Sequence, residues 1–154
     1  MKVPSNDLRK NYLSVKSKID NAIKRVINNS SFILGEEVEN FEEKFSNYLN
    51  VKYCVGVSSG TSALFLSLLA CGIGKGDEVI TSPFTWVSSV EAISNTGAKP
   101  VLVDIDEETY NLDPKRIESK LTKNTKAIIP VHIYGYPAEM NEILSIAKKH
   151  NLKV

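Results

Sequence analysis

The residue types at positions 55–64, Val-Gly-Val-Ser-Ser-Gly-Thr-Ser-Ala-Leu, are suited to binding an anion. The apolar run at 53–57 predicts a strand, and the apolar stretch at 63–70 is long enough to form a buried helix. Small hydroxyl residues and a glycine separate the two. In a strand–turn–helix unit of this kind, unpaired backbone N–H groups point out of the first helical turn, where the helix dipole also favours negative charge.

Three residues of this turn are the candidate anion ligands. Gly60 lets the backbone approach a ligand closely, because it has no side chain. Thr61 and Ser62 add hydroxyl donors without bulk. A structural alternative stays open at this point, since Ser59 or Thr61 could simply cap a core helix.

Composition narrows the class of protein. The chain has 154 residues, of which 42% are hydrophobic and 24% charged, and this is typical of a soluble globular protein. A formal net charge of +1 gives no electrostatic reason to expect nucleic acid or a membrane surface as partner. No apolar run reaches membrane-spanning length, and the polar start is not that of a signal peptide. Cys54 and Cys71 are interpreted as buried thiols rather than a disulfide or metal pair, which suits the cytoplasm.

The elements that must position the anion site alternate between helix and strand. Apolar residues at helical spacing predict a long first helix over 8–26 and a second over 38–48. Asp113 and Pro114 are typical of a helix start, and Pro137 is expected to open the last helix. The remaining pattern predicts strands near 53–57, 78–81, 99–103 and 126–131, with helices near 61–71, 85–95, 114–121 and 138–149.

Repeated strand–helix units favour an α/β fold with a parallel sheet. We expect an N-terminal helical segment over 1–50 and a partial α/β domain over 51–154. Residues 150–154 leave a helix and enter another strand, so we expect the chain to be a fragment whose sheet is incomplete.

Ligands in such sheets gather beyond the carboxyl ends of the strands. Every notable polar or aromatic cluster of this sequence follows a predicted strand. The placement favours a binding site more than any single residue does. The clusters are residues 58–62, 82–86, 104–106 and 132–135.

Each cluster also has a structural interpretation. Trp86 is either a core residue or a flat ring that stacks on a planar cofactor. His132 is either a hydrogen-bonded structural residue or a ligand. Asp104 and Asp106 either cap a loop or hold a divalent metal, as in a nucleotide-sugar glycosyltransferase. The glycine-rich segment 72–76 follows a helix rather than a strand, so it is interpreted as a turn with an exposed lysine.

Several motifs together resemble DegT/StrS-type nucleotide-sugar aminotransferases, which use pyridoxal phosphate (PLP) and have the fold-type I architecture. The resemblance runs in order from about Asp7 to Val154. It is based on residues 32–38, 59–64, 74–80, 103–106 and 125–135.

The resemblance implies a set of cofactor contacts. Gly60, Thr61 and Ser62 would bind the PLP phosphate, and Trp86 would lie over the pyridine ring. Asp104 and Asp106 would belong to a loop, with no metal site.

The resemblance also implies substrates. The family transfers an amino group from an amino acid, usually glutamate, to a keto-sugar carried by a nucleoside diphosphate, and it works as a homodimer. The start of the chain is similar to members that act on 3-keto-6-deoxy sugars linked to thymidine diphosphate. Residues that would border the sugar pocket are Phe32, Leu34, His132 and Tyr134.

The catalytic residues are not assigned to this chain. The resemblance puts the family's pyridinium-binding aspartate and cofactor-binding lysine after the stretch similar to residues 151–154. The 154-residue chain alone is therefore expected to be inactive. The alternatives are a PLP-dependent sugar dehydratase of the same family, a metal-dependent glycosyltransferase, and a non-catalytic folding or interaction module.

Overall fold

The computed structural model describes residues 6–154, and the chain divides into two compact units. The first unit ends at Gly56 and contains helices α1 (Leu8–Asn28) and α2 (Glu36–Leu49). The second, Val57–Val154, contains the sheet. Its elements are α3 (Gly60–Ala70), β1 (Glu78–Thr81), α4 (Ser88–Asn95), β2 (Lys99–Leu102), α5 (Pro114–Ile117) continued by a 3₁₀ turn (Glu118–Lys120), β3 (Thr125–Ile129), a 3₁₀ turn (Ile133–Gly135) and α6 (Met140–His150).

Local sequence explains where several helices begin. Asp7 caps α1, because its carboxylate accepts from the backbone N–H of Lys10 at 2.9 Å. Asp113 caps α5 in the same way, and Pro114 occupies the first helical position. The start of α5 confirms the prediction at Asp113 and Pro114.

The sheet of the second unit is parallel, in the order β2-β1-β3. All four residues of β1 are buried, as expected for a central strand with packing on both faces. Val79 and Ile80 are neighbours in β1 and point to opposite faces, where each belongs to a separate apolar cluster. The sheet is therefore the rigid element from which the following loops project.

The parallel-sheet α/β prediction is confirmed, with adjusted boundaries. The strands near 78–81, 99–103 and 126–131 form as β1, β2 and β3. Lys153 makes a parallel bridge to Ala127, so the chain pairs with β3 at its end. Segment 72–76 is a turn with Lys75 exposed, as predicted. No helix among residues 6–154 is long and apolar enough to cross a membrane.

The strand predicted at 53–57 is wrong. A strand needs a hydrogen-bonded neighbour, and within residues 6–154 none pairs with this segment. The backbone N–H of Gly56 instead donates to the Glu42 carboxylate, at 2.6 Å. The apolar pattern indicated extended chain but did not specify a partner.

Three smaller predictions need correction. Pro137 does not open the last helix, because Met140 is its first residue and Glu139 its N-cap. The segment predicted as one helix over 114–121 changes from α to 3₁₀ geometry after Ile117. The cysteines are not both buried: Cys71 is exposed at the C-cap of α3, and Cys54 is half-buried.

Candidate functional site

The N-terminus of α3 presents free backbone donors. Ser59 is the N-cap and accepts from the Ser62 N–H at 3.1 Å, while its carbonyl accepts from the Ala63 N–H at 2.9 Å. The N–H groups of Gly60 and Thr61 have no protein acceptor among residues 6–154. A Cβ added at Gly60 would meet no atom within 4 Å, so this position is open to a ligand. Two donors and a helix dipole therefore face open space.

The hydroxyl groups of this turn make two kinds of contact, one within the turn and one with helix α4. Ser62 Oγ lies 3.0 Å from both Ser58 Oγ and Ser59 Oγ. Thr61 Oγ1 donates to Ser88 Oγ, on helix α4, at 2.8 Å. The Ser62 N–H is already occupied by Ser59, so Gly60 and Thr61 provide the available backbone donors.

An open cleft of about 660 Å³ contains this helix terminus. Trp86 lies on the same cleft and is 77% exposed. The interpretation of Trp86 as a core residue is therefore wrong. The cleft is lined by Gly60, Thr61, Ala63, Leu64, Ser67, Thr85, Trp86, Ser88, Ser89 and Val131.

Ser88, Ser89 and Val131 line this cleft and were not candidates from the sequence. Ser88 and Ser89 begin α4, and Thr85 Oγ1 lies 3.2 Å from Ser89 Oγ. The sequence did contain a signal for these residues, which is a second group of small hydroxyl residues just before a helix. Which of these hydroxyls faces α3 depends on the packing of two helices and not on local pattern.

Aromatic rings lie beyond the carboxyl ends of all three strands. The Phe84 ring lies 5.8 Å from that of Tyr110 and 6.4 Å from that of Tyr134, between centroids. Both tyrosines have a left-handed backbone, with φ of 58° and 51°. The buried Asn111 links their loops, because its amide accepts from the Ile133 N–H and donates to the Tyr136 carbonyl, each at 3.0 Å.

The candidate sugar-pocket residues lie in both units. In the second unit Tyr134 is 90% exposed, and His132 Nδ1 accepts from the Ala138 N–H at 3.0 Å. His132 thus has the hydrogen bond expected of a structural residue. In the first unit Phe32 and Leu34 are both exposed.

Asp104 and Asp106 accept hydrogen bonds from backbone N–H groups of their own loop. One Asp106 oxygen accepts from the N–H groups of Glu108 and Thr109 and from the Thr109 hydroxyl. These bonds, those from Thr109 above all, lower the pKa of Asp106 below its usual range. Asp104 accepts from the Ile105 N–H at 2.9 Å and lies 3.6 Å from the Arg116 guanidinium. The loop interpretation is confirmed for Asp106.

The fold is similar to that of several proteins of known structure. S. venezuelae DesV, solved in complex with a ketimine intermediate, superposes with a TM-score of 0.95 at 42% identity, over 98% of this chain and 41% of that one. NtdA from Bacillus subtilis, solved with bound cofactor PMP, gives a TM-score of 0.89 at 38% identity, over 92% and 32%.

Residues 14–154 match the DegT/DnrJ/EryC1/StrS aminotransferase family, and the chain belongs to this family. A relative, the dTDP-3-amino-3,6-dideoxy-alpha-D-galactopyranose transaminase of Aneurinibacillus thermoaerophilus, is 49% identical over 152 residues, which are 99% of this chain and 42% of the relative. The chain thus spans about two fifths of the length of the relatives it matches. Membership favours an aminotransferase over a metal-dependent glycosyltransferase.

Proposed function

We propose that the full-length protein is a PLP-dependent aminotransferase that moves an amino group from glutamate to a keto-sugar linked to a nucleoside diphosphate. The observation that carries this proposal is one cleft in which the free N–H groups of Gly60 and Thr61 lie together with the exposed Trp86 indole. Family membership and the transaminase relative support the same reaction.

The residues of the cleft fit the parts of PLP. The phosphate is a dianion that needs donors, and two N–H groups at a helix N-terminus provide them next to an open glycine. Thr61 and Ser62 add hydroxyls for the phosphate, and Ser62 also fixes the turn through Ser58 and Ser59. Trp86 offers a flat, exposed ring for the pyridine. When bound, PLP supplies the electron sink, and the protein supplies binding and orientation.

The sugar nucleotide is proposed to be a 3-keto-6-deoxyhexose on thymidine diphosphate. The name of the A. thermoaerophilus relative contains a dTDP-linked 3-amino-3,6-dideoxy sugar. Phe32, Leu34, His132 and Tyr134 are proposed to border the sugar. We further propose that the protein is a cytoplasmic homodimer, with a helical segment over 1–50 and the cofactor-binding domain starting at 51.

The test uses full-length protein loaded with PLP, ¹⁵N-glutamate and the dTDP-linked keto-sugar, with the UDP-linked analogue in parallel. Mass spectrometry should find ¹⁵N on the sugar and an equal amount of 2-oxoglutarate. A sugar that loses water and gains no ¹⁵N would identify a dehydratase instead. No transfer with either nucleotide would contradict the proposed substrate class.

We also propose that no lysine of residues 1–154 is the cofactor-binding lysine. The chain has abundant lysines, but the family's motif for that residue matches none of them. Full-length protein is reduced with borohydride in the presence of PLP, digested and mapped. We expect the labelled lysine outside these 154 residues, and stoichiometric label on any one of them would contradict the proposal.

A further inference from the structure

The hydroxyl of Thr61 is held by a residue of another helix. Its Oγ1 donates to Ser88 Oγ at 2.8 Å, and both side chains are half-buried. The other hydrogen bonds between hydroxyls of this region are local, such as that between Thr85 and Ser89. The Thr61–Ser88 bond therefore joins the N-termini of α3 and α4 directly.

This bond connects the two candidate cofactor contacts. Ser88 is the first residue of α4, and the Ser89 N–H donates to the Trp86 carbonyl at 3.1 Å. Thr61 also carries one of the two free backbone N–H groups at the start of α3. Holding Thr61 to Ser88 thus ties the backbone donors of α3 to the start of α4, two residues after Trp86.

Counting donors gives Ser88 a defined role. A hydroxyl has one proton and two lone pairs, and a phosphate dianion offers only acceptors. In the structure the Thr61 proton is directed to Ser88, while the Ser88 hydroxyl proton has no acceptor within residues 6–154. The present geometry has Thr61 as the donor. If Thr61 turns its proton to a phosphate oxygen, a small rotation of the Ser88 side chain lets its hydroxyl donate to Thr61 Oγ1 instead.

We propose that Ser88 is a positioning residue for phosphate binding, which holds the Thr61 rotamer and reverses the direction of their hydrogen bond when the PLP phosphate binds. This inference rests on the proposed function, because it takes the phosphate to lie at the N-terminus of α3. Ser88 acts through Thr61 and needs no contact with the cofactor itself.

A double-mutant cycle on full-length protein tests the coupling. PLP affinity is measured by titration, and the ³¹P shift of bound PLP is recorded, for wild type, Ser88→Ala, Thr61→Val and the double variant. Loss of a neutral hydrogen bond should weaken PLP binding about fivefold in Ser88→Ala. In the Thr61→Val background the same change should have almost no effect, because the two residues act as one unit.

Three further variants separate positioning from general stability. Ser88→Thr keeps the hydroxyl and should restore wild-type affinity. Ser88→Cys keeps nearly the same volume but has a thiol, which is a weak donor, so its PLP affinity should fall at least about twofold. This variant tests the proposal should Ser88→Ala fold poorly. Ser94→Ala is the matched control, since Ser94 is exposed on the same helix outside the cleft and should leave affinity and ³¹P shift unchanged.

The outcomes distinguish this inference from the proposed function. Wild-type affinity in Ser88→Ala and Ser88→Cys, with weaker binding in Thr61→Val, would overturn only the role of Ser88. An equal loss from Ser88→Ala in both backgrounds would also overturn it, because Ser88 would then act independently of Thr61. If wild-type protein binds neither PLP nor inorganic phosphate, the proposed function fails first.

Discussion

The two ends of the parallel sheet use their polar groups differently. At the amino end, the buried Glu78 accepts from the Thr122 hydroxyl at 2.6 Å and pairs with Lys99 at 3.3 Å. Thr122 is itself fixed, because its N–H donates to the Thr125 hydroxyl at 2.9 Å. At the carboxyl end, the donors of Gly60 and Thr61 face an open cleft.

This difference teaches which polar groups stabilise the fold. A polar group at the amino end has a partner within the protein, so removing it leaves that partner unsatisfied and lowers stability. A free donor at the carboxyl end contributes little to the folded state without a ligand. Substitutions at the two ends should therefore separate stability from cofactor affinity.

The largest expected effect is that of Gly60→Asp. A carboxylate at this site repels the phosphate dianion, and two like charges about 4 Å apart cost about 4 kcal/mol at an effective dielectric constant of about 20. PLP affinity should fall at least about 100-fold. The free energy of unfolding should rise by about 0.3–1 kcal/mol, because α3 has no acidic residue in its first turn.

The control is Gly60→Asn, which has nearly the same shape without the charge. It should weaken PLP binding clearly less than Gly60→Asp does, because it adds nearly the same bulk to the open position without the charge. Cofactor titration and thermal melting measure the two quantities. If aspartate and asparagine weaken PLP equally, steric closure and not charge would be responsible.

The second effect is that of Trp86→Ala in the complete protein. If the indole stacks on the pyridine ring, affinity should fall by about 1–2 kcal/mol, the scale of an aromatic contact. Trp86→Phe should largely restore it, because a flat ring is needed and the indole N–H is not. The melting temperature without PLP should hardly change, because the side chain is 77% exposed. Unchanged PLP affinity in the alanine variant would refute stacking.

The helix starts, which depend on residues that are neighbours in the chain, could be predicted from the sequence. The start of α3 follows from Ser59, Gly60 and the apolar run after them, because capping acts over three or four residues. The start of α5 follows from Asp113 and Pro114 for the same reason. Both are decided by neighbours in the chain.

Pairs that are far apart in sequence could not be predicted. Thr61 meets Ser88 across 27 residues, and Glu78 meets Thr122 across 44. Each pairing depends on how helices or strands pack, which no local pattern specifies. The strand predicted at 53–57 is wrong for the same reason, because pairing requires a partner that the pattern does not name.

The smallest expected effect comes from Glu78→Gln at the amino end. The amide loses the ion pair with Lys99 and weakens the acceptor for Thr122. At pH 7 the melting temperature should fall by about 2–4 °C. PLP affinity should not change, because Glu78 lies at the opposite end of β1 from the cleft. Reduced PLP affinity in a folded Glu78→Gln variant would contradict the claim that the amino end affects stability and not cofactor binding.

The pH dependence of the difference in melting temperature between wild type and Glu78→Gln provides a sharper test. The Thr122 hydrogen bond first, and then Lys99, hold the pKa of Glu78 below its usual range in the folded protein. A carboxyl group with a lowered folded pKa stabilises the protein above its unfolded pKa, about 4.3, and loses that contribution as pH falls through the folded value. The gap in melting temperature between wild type and Glu78→Gln should therefore stay constant from about pH 7 to about pH 5 and close below about pH 4. Asp106 and Glu118, whose pKa values are also lowered, are present in both proteins and cancel in the comparison. A gap that widens on acidification would show that Glu78 is protonated more easily in the folded protein, contrary to the geometry of its two partners.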